Sequence, residues 1–308
     1  MELTESKGAI GSDRAAATGL LAQGLVIVFS LAAALAYRVS VSVLSGIAED
    51  AFVILLAAVL LALALAARRS TNLAQYWQIP YAFFVFSLAG FLGDGSISPL
   101  QHAFVYNVLH EKTTANNPLA SSITGMVLSQ LVGTILLVAP IVGLTMASGR
   151  DLRSIFIAAP KGRLGLALAV GCFVVIYFLA ARGRTESFFP THGDVTFSRF
   201  LALTPALIVL VLLNGLREEM WFRALFLNKY GMFLRPILSN LLAAVIFTSF
   251  HVQVQYSASI LVFLGYTLII GLILGWLMQR TKSVLPSVIF HAGTDIPIFL
   301  VYLTYAQG

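Results

Sequence analysis

The chain contains the apolar run AFVILLAAVLLALALAA at residues 51–67, and two arginines, Arg68 and Arg69, follow it directly. The hydrocarbon core of a bilayer is ~30 Å thick and is crossed by ~20 apolar residues of helix. The run therefore predicts a transmembrane helix that ends at a basic boundary. Similar runs predict nine spans in all, of which the third is short enough to be re-entrant or tilted. They lie at about 19–37, 51–67, 79–93, 119–147, 163–181, 199–228, 236–254, 257–279 and 284–305.

The composition of the whole chain agrees with a membrane protein. Of its 308 residues, 59% are hydrophobic and 10% are charged, whereas a soluble domain is about half apolar and roughly a quarter charged. These values exclude an ordinary soluble enzyme, a disordered protein and a nucleic-acid-binding domain. We therefore predict an all-α, polytopic membrane helix bundle of about eight or nine transmembrane helices. A polar N-terminal tail at 1–18 precedes a single integral-membrane domain at 19–308, whose one cysteine, Cys172, excludes a disulfide framework.

The basic residues predict how the chain is oriented in the membrane. With the N-terminus in the cytoplasm, twelve Lys and Arg residues fall in cytoplasmic segments and five in outer segments. The positive-inside rule therefore favours a cytoplasmic N-terminus and an outer C-terminus. Since the positive charge is spread over short loops rather than gathered in one patch, nucleic acid is not an expected partner. Membrane lipid is the expected surrounding, and the sequence leaves the oligomeric state open.

Some ionisable side chains lie where a membrane helix should have none. The acidic and histidine residues inside predicted spans are Glu218, Glu219, His251, His291 and Asp295. A charged group at mid-bilayer costs ~2.5–3.5 kcal/mol on insertion scales, so such residues usually face a cavity and mark a functional site. All of them fall in the last four spans, and the first five spans contain none. The last four spans, at 199–305, are therefore the predicted functional core.

The spacing of these residues pairs them on three helices. The pairs separated by four residues are Glu219 with Arg223, Phe247 with His251, and His291 with Asp295. Residues four apart share a helix face and can interact, whereas Glu218 is rotated by ~100° from Glu219 and points elsewhere. Each pair also has a purely structural interpretation, as a buried ion pair, an interhelical hydrogen bond or a strut. Their joint occurrence favours a functional site over structure alone.

Glycines on the eighth span have a simpler interpretation. Gly271 and Gly275 are four residues apart, and Gly265 precedes them by about two turns. Small residues at this spacing let membrane helices approach closely. We therefore expect all three to serve packing and not chemistry.

Three kinds of chemistry fit the intramembrane residues. A glutamate in an apolar cavity can activate water for peptide or ester hydrolysis, with a histidine donating to the developing oxyanion. Glu218, His251 and His291 can alternatively form a zinc site, although no HExxH helix is present and the ligands would come from three helices. Buried Glu, His and Asp chains also serve as proton relays in transporters, but the sequence shows no internal inverted repeat of the transporter kind.

Three motifs together resemble a known family. Residues 218–223 read EEMWFR and match EExxxR, residues 247–251 read FTSFH and match FxxxH, and residues 291–295 read HAGTD and match HxxxN with Asp for Asn. In this order on late membrane helices, they resemble the CAAX protease and bacteriocin-processing family, also labelled CPBP or Abi. That family includes the type II CAAX prenyl endopeptidases, which are similar to the eukaryotic Ras-converting enzyme.

The resemblance implies an intramembrane endopeptidase that acts without a metal cofactor. It implies that Glu218 activates water, that His251, His291 and Asp295 complete the site, and that the last two stabilise the oxyanion. Glu219 and Phe247 would support the site, and Arg223 would orient the carboxylate pair. The implied substrate is a membrane-anchored or prenylated peptide or protein, with a CaaX-type terminus as one option. A zinc-dependent mechanism is the alternative.

Asp295 departs from the family pattern in a way that matters. An amide can donate a hydrogen bond to an oxyanion, whereas an ionised carboxylate would repel it, so orienting His291 is the easier role for Asp295. The substitution also allows a member that has lost proteolysis. We therefore predict a membrane-embedded endopeptidase, with a non-proteolytic membrane scaffold or regulator, and then a proton-coupled transporter, as alternatives.

Overall fold

The computed structural model describes residues 5–95, 97–114, 117–252 and 259–306, with side chains from residue 19 onward. The helices of this part of the chain are α1 (Glu5–Val43), α2 (Ile47–Arg69), α3 (Gln78–Gly93), α4 (Pro99–Ala103), α5 (Ile123–Ala147), α6 (Arg163–Ala181), α7 (Phe197–Glu218), α8 (Leu227–Tyr230), α9 (Pro236–Ser249), α10 (Ile260–Thr281) and α11 (Leu285–Tyr305). Short 3₁₀ turns at Ala74–Tyr76 and Leu152–Ile155 and π-helical turns at Phe104–Val108 and Glu219–Ala224 complete the regular structure.

This architecture confirms the predicted all-α membrane bundle. Seven helical segments are long and apolar enough to cross a membrane, while α3 and α9, at 16 and 14 residues, are shorter. The described residues contain no β-strand. Helix α1 begins at Glu5, so helical backbone extends into the segment 1–18 that we expected to be a polar tail.

The predicted span at 236–254 is too long. Helix α9 ends at Ser249, where the N–H groups of Phe250 and His251 donate to the carbonyl oxygens of Phe247 and Thr248, at 3.2 and 3.0 Å. These bonds reach back three residues and tighten the last turn, as helix ends commonly do. His251 therefore lies just beyond the helix rather than inside a span. Residues 253–254 of the predicted span, and 257–258 of the next, lie outside the described part.

Helix α11 lies at the centre of the bundle. In its most apolar stretch 72% of the residues are buried, against 22% in α1 and in α6. It packs against α6, α7 and α10, and Ile296 and Leu300 join Leu207 and Leu210 of α7 in one apolar cluster. This position surrounds the polar residues of α11 with protein instead of lipid.

A second apolar cluster fixes the segment that follows α7. Trp221 donates from Nε1 to the carbonyl oxygen of Phe86 on α3, at 2.9 Å, and its ring stacks on the Phe86 ring with centroids 4.6 Å apart. Phe222 and Phe226 pack against the same ring. Aromatic pairs of this kind stabilise beyond their buried area, so the turn that carries the predicted glutamates is held rigidly.

The long connection between α3 and α5 is anchored at the start of α5. The carboxylate of Glu111 accepts the backbone N–H groups of Ser121 and Ser122, each at 3.1 Å, and both hydroxyls also donate to it. These hydrogen bonds hold the pKa of Glu111 below its usual value. Ser122 in turn caps α5 by accepting the Gly125 N–H at 2.9 Å. The connection between α3 and α5 is therefore held against the N-terminal end of α5.

Two of the three glycines on α10 are packed as predicted, and the third is not. A Cβ on Gly275 would lie 1.8 Å from Oδ1 of Asn240, and one on Gly271 would lie 3.2 Å from Cβ of Ala244. Both glycines therefore let α10 approach α9 closely. A Cβ on Gly265 would meet no described atom within 4 Å. The packing role expected for Gly265 was wrong, because none of the described residues packs against it.

Gly93→Ala should destabilise the protein by about 1–3 kcal/mol, as overpacking of a tight contact does. The new methyl group would lie 2.5 Å from the backbone nitrogen of Leu137 and 2.6 Å from the carbonyl oxygen of Gly133, so α3 and α5 must separate. The measurement is the thermal unfolding midpoint in detergent. Gly143→Ala, on α5, is the matched control because its Cβ would meet no described atom within 4 Å. Equal midpoints for the two variants would contradict the prediction.

Candidate active site

The two adjacent glutamates lie at a change of helix type. Helix α7 ends at Glu218 and continues as the π-helical turn Glu219–Ala224, after which the Leu225 N–H donates to the Met220 carbonyl oxygen, five residues back, at 3.3 Å. Such turns are rare and are frequent at functional sites. The side chain of Glu218 is 16% exposed, whereas that of Glu219 is fully buried. The two carboxylates therefore point to different surroundings, as their offset predicts.

Glu219 is held by two partners. Its Oε1 lies 2.5 Å from Nη1 of Arg223 and 2.8 Å from Nδ1 of His291. The Arg223 guanidinium also donates from Nε to the Gly271 carbonyl oxygen at 3.4 Å and stacks 4.1 Å above the Phe247 ring. Because an ionised carboxylate can only accept hydrogen bonds, Nδ1 of His291 carries the proton in this contact. Glu219, Arg223 and Phe247 are thus placed to support the site.

His291 connects the two glutamates to Asp295. Its Nε2 lies 3.5 Å from Oε2 of Glu218 and 3.7 Å from Oδ1 of Asp295. The imidazole therefore presents one nitrogen to the buried Glu219 and the other to the Glu218 and Asp295 carboxylates. The structure thus brings together Glu218 of α7, Glu219 of the π-helical turn, and His291 and Asp295 of α11.

Asn214 joins the same cluster and was missed by the sequence reasoning. Its Nδ2 donates to Oε1 of Glu218 at 3.1 Å and to Oδ2 of Asp295 at 2.9 Å. Its Oδ1 accepts a hydrogen bond from Gln130 of α5 at 3.1 Å. Because only ionisable residues inside the spans were considered as candidates, the amide side chains of Asn214 and Gln130 were not predicted. The available signal was an asparagine one helical turn before Glu218 in an otherwise apolar run.

A cavity of about 180 Å³ brings His251 to this cluster. Glu218, His251, His291 and Asn214 line it together with apolar and aromatic side chains from α9, α10 and α11. Nδ1 of His251 lies 2.9 Å from the Phe247 carbonyl oxygen, which can only accept, so Nδ1 carries the proton and Nε2 keeps its lone pair. The volume is sufficient for several water molecules beside Glu218.

The side chains do not form a recognisable metal site. Among the described residues, no group of three or more His, Cys, Asp and Glu side chains has an arrangement that could hold a metal ion. Nδ1 of His291 is occupied by Glu219, and Nδ1 of His251 by a backbone carbonyl. In both histidines Nε2 is therefore the nitrogen left for a ligand, since a metal-binding histidine usually donates its other ring N–H to a carboxylate or a carbonyl oxygen. Whether the reaction needs a metal stays a prediction to be tested by chelation.

Comparison with known proteins agrees with the motifs. Residues 200–297 match a family model described as "Rce1-like: Type II CAAX prenyl endopeptidase Rce1-like". The matched segment contains all three motifs and the whole of the cluster around Glu218 except Gln130. The match confirms the resemblance that the motifs indicate. Neither the curated proteins nor the solved structures gave a match to this chain.

Proposed function

We propose that the chain, whose residues 200–297 form an Rce1-like domain, is an intramembrane endopeptidase for membrane-associated substrates in which Glu218 activates water. The observation that carries this proposal is the difference between the adjacent glutamates. Glu219 is buried and paired with Arg223 and His291, while Glu218 faces the cavity. Only Glu218 is placed to act on a water molecule and a peptide bond.

The proposed reaction needs one proton to move twice. Glu218 accepts a proton as the oxygen of water attacks the peptide carbonyl carbon, and it then gives that proton to the departing amine. His251, at the end of α9, can stabilise the oxyanion once Nε2 is protonated. Nδ1 of His291 is fixed by Glu219; with a second proton on Nε2, the imidazolium attracts the Glu218 carboxylate at 3.5 Å, and Asp295, at 3.7 Å, helps to orient it. Asp295 is then a positioning residue rather than an oxyanion donor.

The surroundings of the cavity fit a substrate with an apolar segment. Phe263 and Tyr266 of α10 line the cavity and also an apolar groove of about 360 Å³ beside it. Phe188 and Val262 in this groove are 65% and 64% exposed, as expected of side chains that meet lipid. An apolar stretch of the substrate lying in the groove would bring the adjoining peptide bond to Glu218.

Asp295→Asn should retain activity within about tenfold, while Asp295→Ala should lose about 10–100-fold, the cost of leaving a buried donor unpaired. Asn can keep an oxygen toward Asn214, whose Nδ2 lies 2.9 Å from Oδ2 of Asp295, whereas Ala cannot. The measurement is kcat and KM with a peptide substrate in detergent or proteoliposomes. Equal losses in the two variants would show that the carboxylate charge itself is required.

Cleavage should survive treatment with a chelator such as 1,10-phenanthroline, because the base is a carboxylate of the chain. The test compares rates before and after chelation and after addition of zinc. A rate that falls to background and returns with zinc would contradict the carboxylate-base mechanism. A known zinc peptidase in the same buffer controls for the strength of the chelator.

Comparative peptidomics tests the proposal when no substrate is known. Membranes from cells that express the natural chain are compared with membranes that contain Glu218→Gln at equal abundance. Peptide fragments that disappear in the variant are expected, and their ends give the cleavage site. If the two samples have the same fragments and the natural chain still has a cellular phenotype, the second candidate, a non-proteolytic scaffold, is favoured. The specific feature that supports this candidate is Asp295 in place of the family's Asn.

A further inference from the structure

The ends of the membrane helices form two separate faces. We call the first the basic face, and it comprises residues 68–78, 148–163, 228–236 and 279–285. Hydrogen bonds join its parts: the Lys161 N–H donates to the Thr281 carbonyl oxygen at 2.6 Å, Asn228 donates to the Ser154 carbonyl oxygen at 3.0 Å, and Gln279 donates to the Pro236 carbonyl oxygen at 3.0 Å. The guanidiniums of Arg68 and Arg150 both lie over the Trp77 ring, at 5.0 and 6.0 Å.

We call the opposite end the cavity face, and it comprises residues 38–46, the described parts of 94–122, 182–199, 249–252 and 299–306. The His192 N–H donates to Oγ1 of Thr304 at 2.9 Å, and Arg199 donates to the Thr304 carbonyl oxygen at 3.4 Å. Arg38 donates from Nε to the Ser249 carbonyl oxygen at 3.3 Å. The first two bonds place the segment before α7 and the start of α7 beside the end of α11, and the third places the end of α1 beside the end of α9.

Lys and Arg are distributed unequally between the two faces. The basic face carries Arg68, Arg69, Arg150, Arg153, Lys161, Arg163, Lys229, Arg235, Arg280 and Lys282. The cavity face carries Arg38, Lys112, Arg182, Arg184 and Arg199. Short loops rich in Lys and Arg stay in the cytoplasm. The basic face is therefore assigned to the cytoplasm and the cavity face to the other side of the membrane.

The catalytic cavity extends toward the cavity face. Pro118 and Leu119 of the connection before α5 line it, as do Phe263 in the first turn of α10 and Phe299 and Tyr302 near the end of α11. None of its described lining residues belongs to the basic face. Toward the basic face, the residues that follow Glu219 in the chain are buried, among them Phe222, Phe226 and Tyr230.

We propose that the protease takes its substrates from the non-cytoplasmic side of the membrane, so that they are exported or membrane-inserted polypeptides and not prenylated cytoplasmic chain ends. The substrate class in this inference rests on the proposed function. The direction in which the cavity opens rests only on the structure and the distribution of charge. A CaaX-type prenylated terminus is presented in the cytoplasm, on the face that contributes none of the described residues lining the cavity.

Cysteine labelling tests the direction of the opening. The single native cysteine, Cys172, is replaced by Ser, and one cysteine is then introduced at a time: Ser187→Cys on the cavity face, Leu119→Cys in the cavity, and Thr71→Cys on the basic face. Ser187 and Thr71 are exposed, so neither change disturbs packing. Intact cells are treated with a sulfonated thiol reagent, which does not cross the membrane because its charge is too costly in hydrocarbon.

We expect Ser187→Cys and Leu119→Cys to be labelled in intact cells. Thr71→Cys should be labelled only after the membrane is permeabilised. The reverse pattern would overturn the proposal, and so would labelling of Leu119→Cys only after permeabilisation. Neither readout requires activity. The peptidomics of Glu218→Gln then tests the function separately, and fragments from cytoplasmic chain ends would contradict the substrate class while leaving proteolysis in place.

Discussion

Glu218→Gln should lower the cleavage rate by about 10²–10⁴-fold, the usual contribution of a positioned general base. Gln has the shape of Glu, and its amide oxygen can still accept the hydrogen bond from Nδ2 of Asn214, at 3.1 Å in the natural chain. What it lacks is a carboxylate that can take a proton from water. The variant should therefore bind substrate with little change in KM and lose kcat. The measurement is steady-state cleavage in proteoliposomes.

The control for this result must separate chemistry from folding. Glu218 is partly exposed to the cavity and makes no ion pair with Arg223, so Glu218→Gln should unfold at nearly the same temperature as the natural chain. Glu218→Asp keeps the carboxylate but withdraws it by one carbon, and we expect an intermediate rate. A folded Glu218→Gln protein with the natural rate would refute the role of Glu218 as the base.

Much of the site was predictable because helix geometry is regular. The spacing of four residues correctly indicated that Glu219 meets Arg223 and that His291 approaches Asp295. The apolar background made these residues visible, since a polar group inside lipid has to have a partner. The contact between His291 and Glu219, which joins α11 to the π-helical turn after α7, was not predictable, because pairing within a helix says nothing about which helices become neighbours.

The remaining differences have local causes. The π-helical turn at Glu219–Ala224 depends on how Trp221 and Phe222 pack against α3 and α9, and no periodicity of the sequence shows it. Helix α9 stops at Ser249 although the sequence stays largely apolar through Val252, so hydropathy alone overestimated its length. Gly265 belongs to the same pattern as Gly271 but has no described neighbour within 4 Å of its added Cβ. Small residues at this spacing permit a close contact between helices, but they do not show that a neighbouring helix is there.

Arg223→Met should destabilise the fold by about 3–5 kcal/mol, the cost of removing one partner from a buried ion pair. Arg223 and Glu219 are both fully buried, so the change removes the cation that pairs with the Glu219 carboxylate and leaves the His291 imidazole as its described hydrogen-bond partner. The double variant Glu219→Gln/Arg223→Met should recover most of this stability, because no buried charge remains unpaired. The measurement is the unfolding midpoint in a detergent titration. Equal destabilisation of the single and double variants would mean that packing, not charge, explains the loss.

The same pair of positions can separate stability from catalysis. Gln at 219 keeps an oxygen that can accept from Nδ1 of His291, which lies 2.8 Å from Oε1 of Glu219 in the natural chain, whereas Leu at 219 cannot. Glu219→Leu/Arg223→Met should therefore be less stable than the Gln double variant by about 1–3 kcal/mol, the cost of a buried donor left unpaired, and the folded protein should turn over more slowly, with the loss in kcat rather than in KM. If Glu219 and Arg223 served the fold alone, the two folded double variants would have equal kcat. A lower kcat for the Leu variant would show that the buried pair orients His291, and through it Glu218, for the reaction.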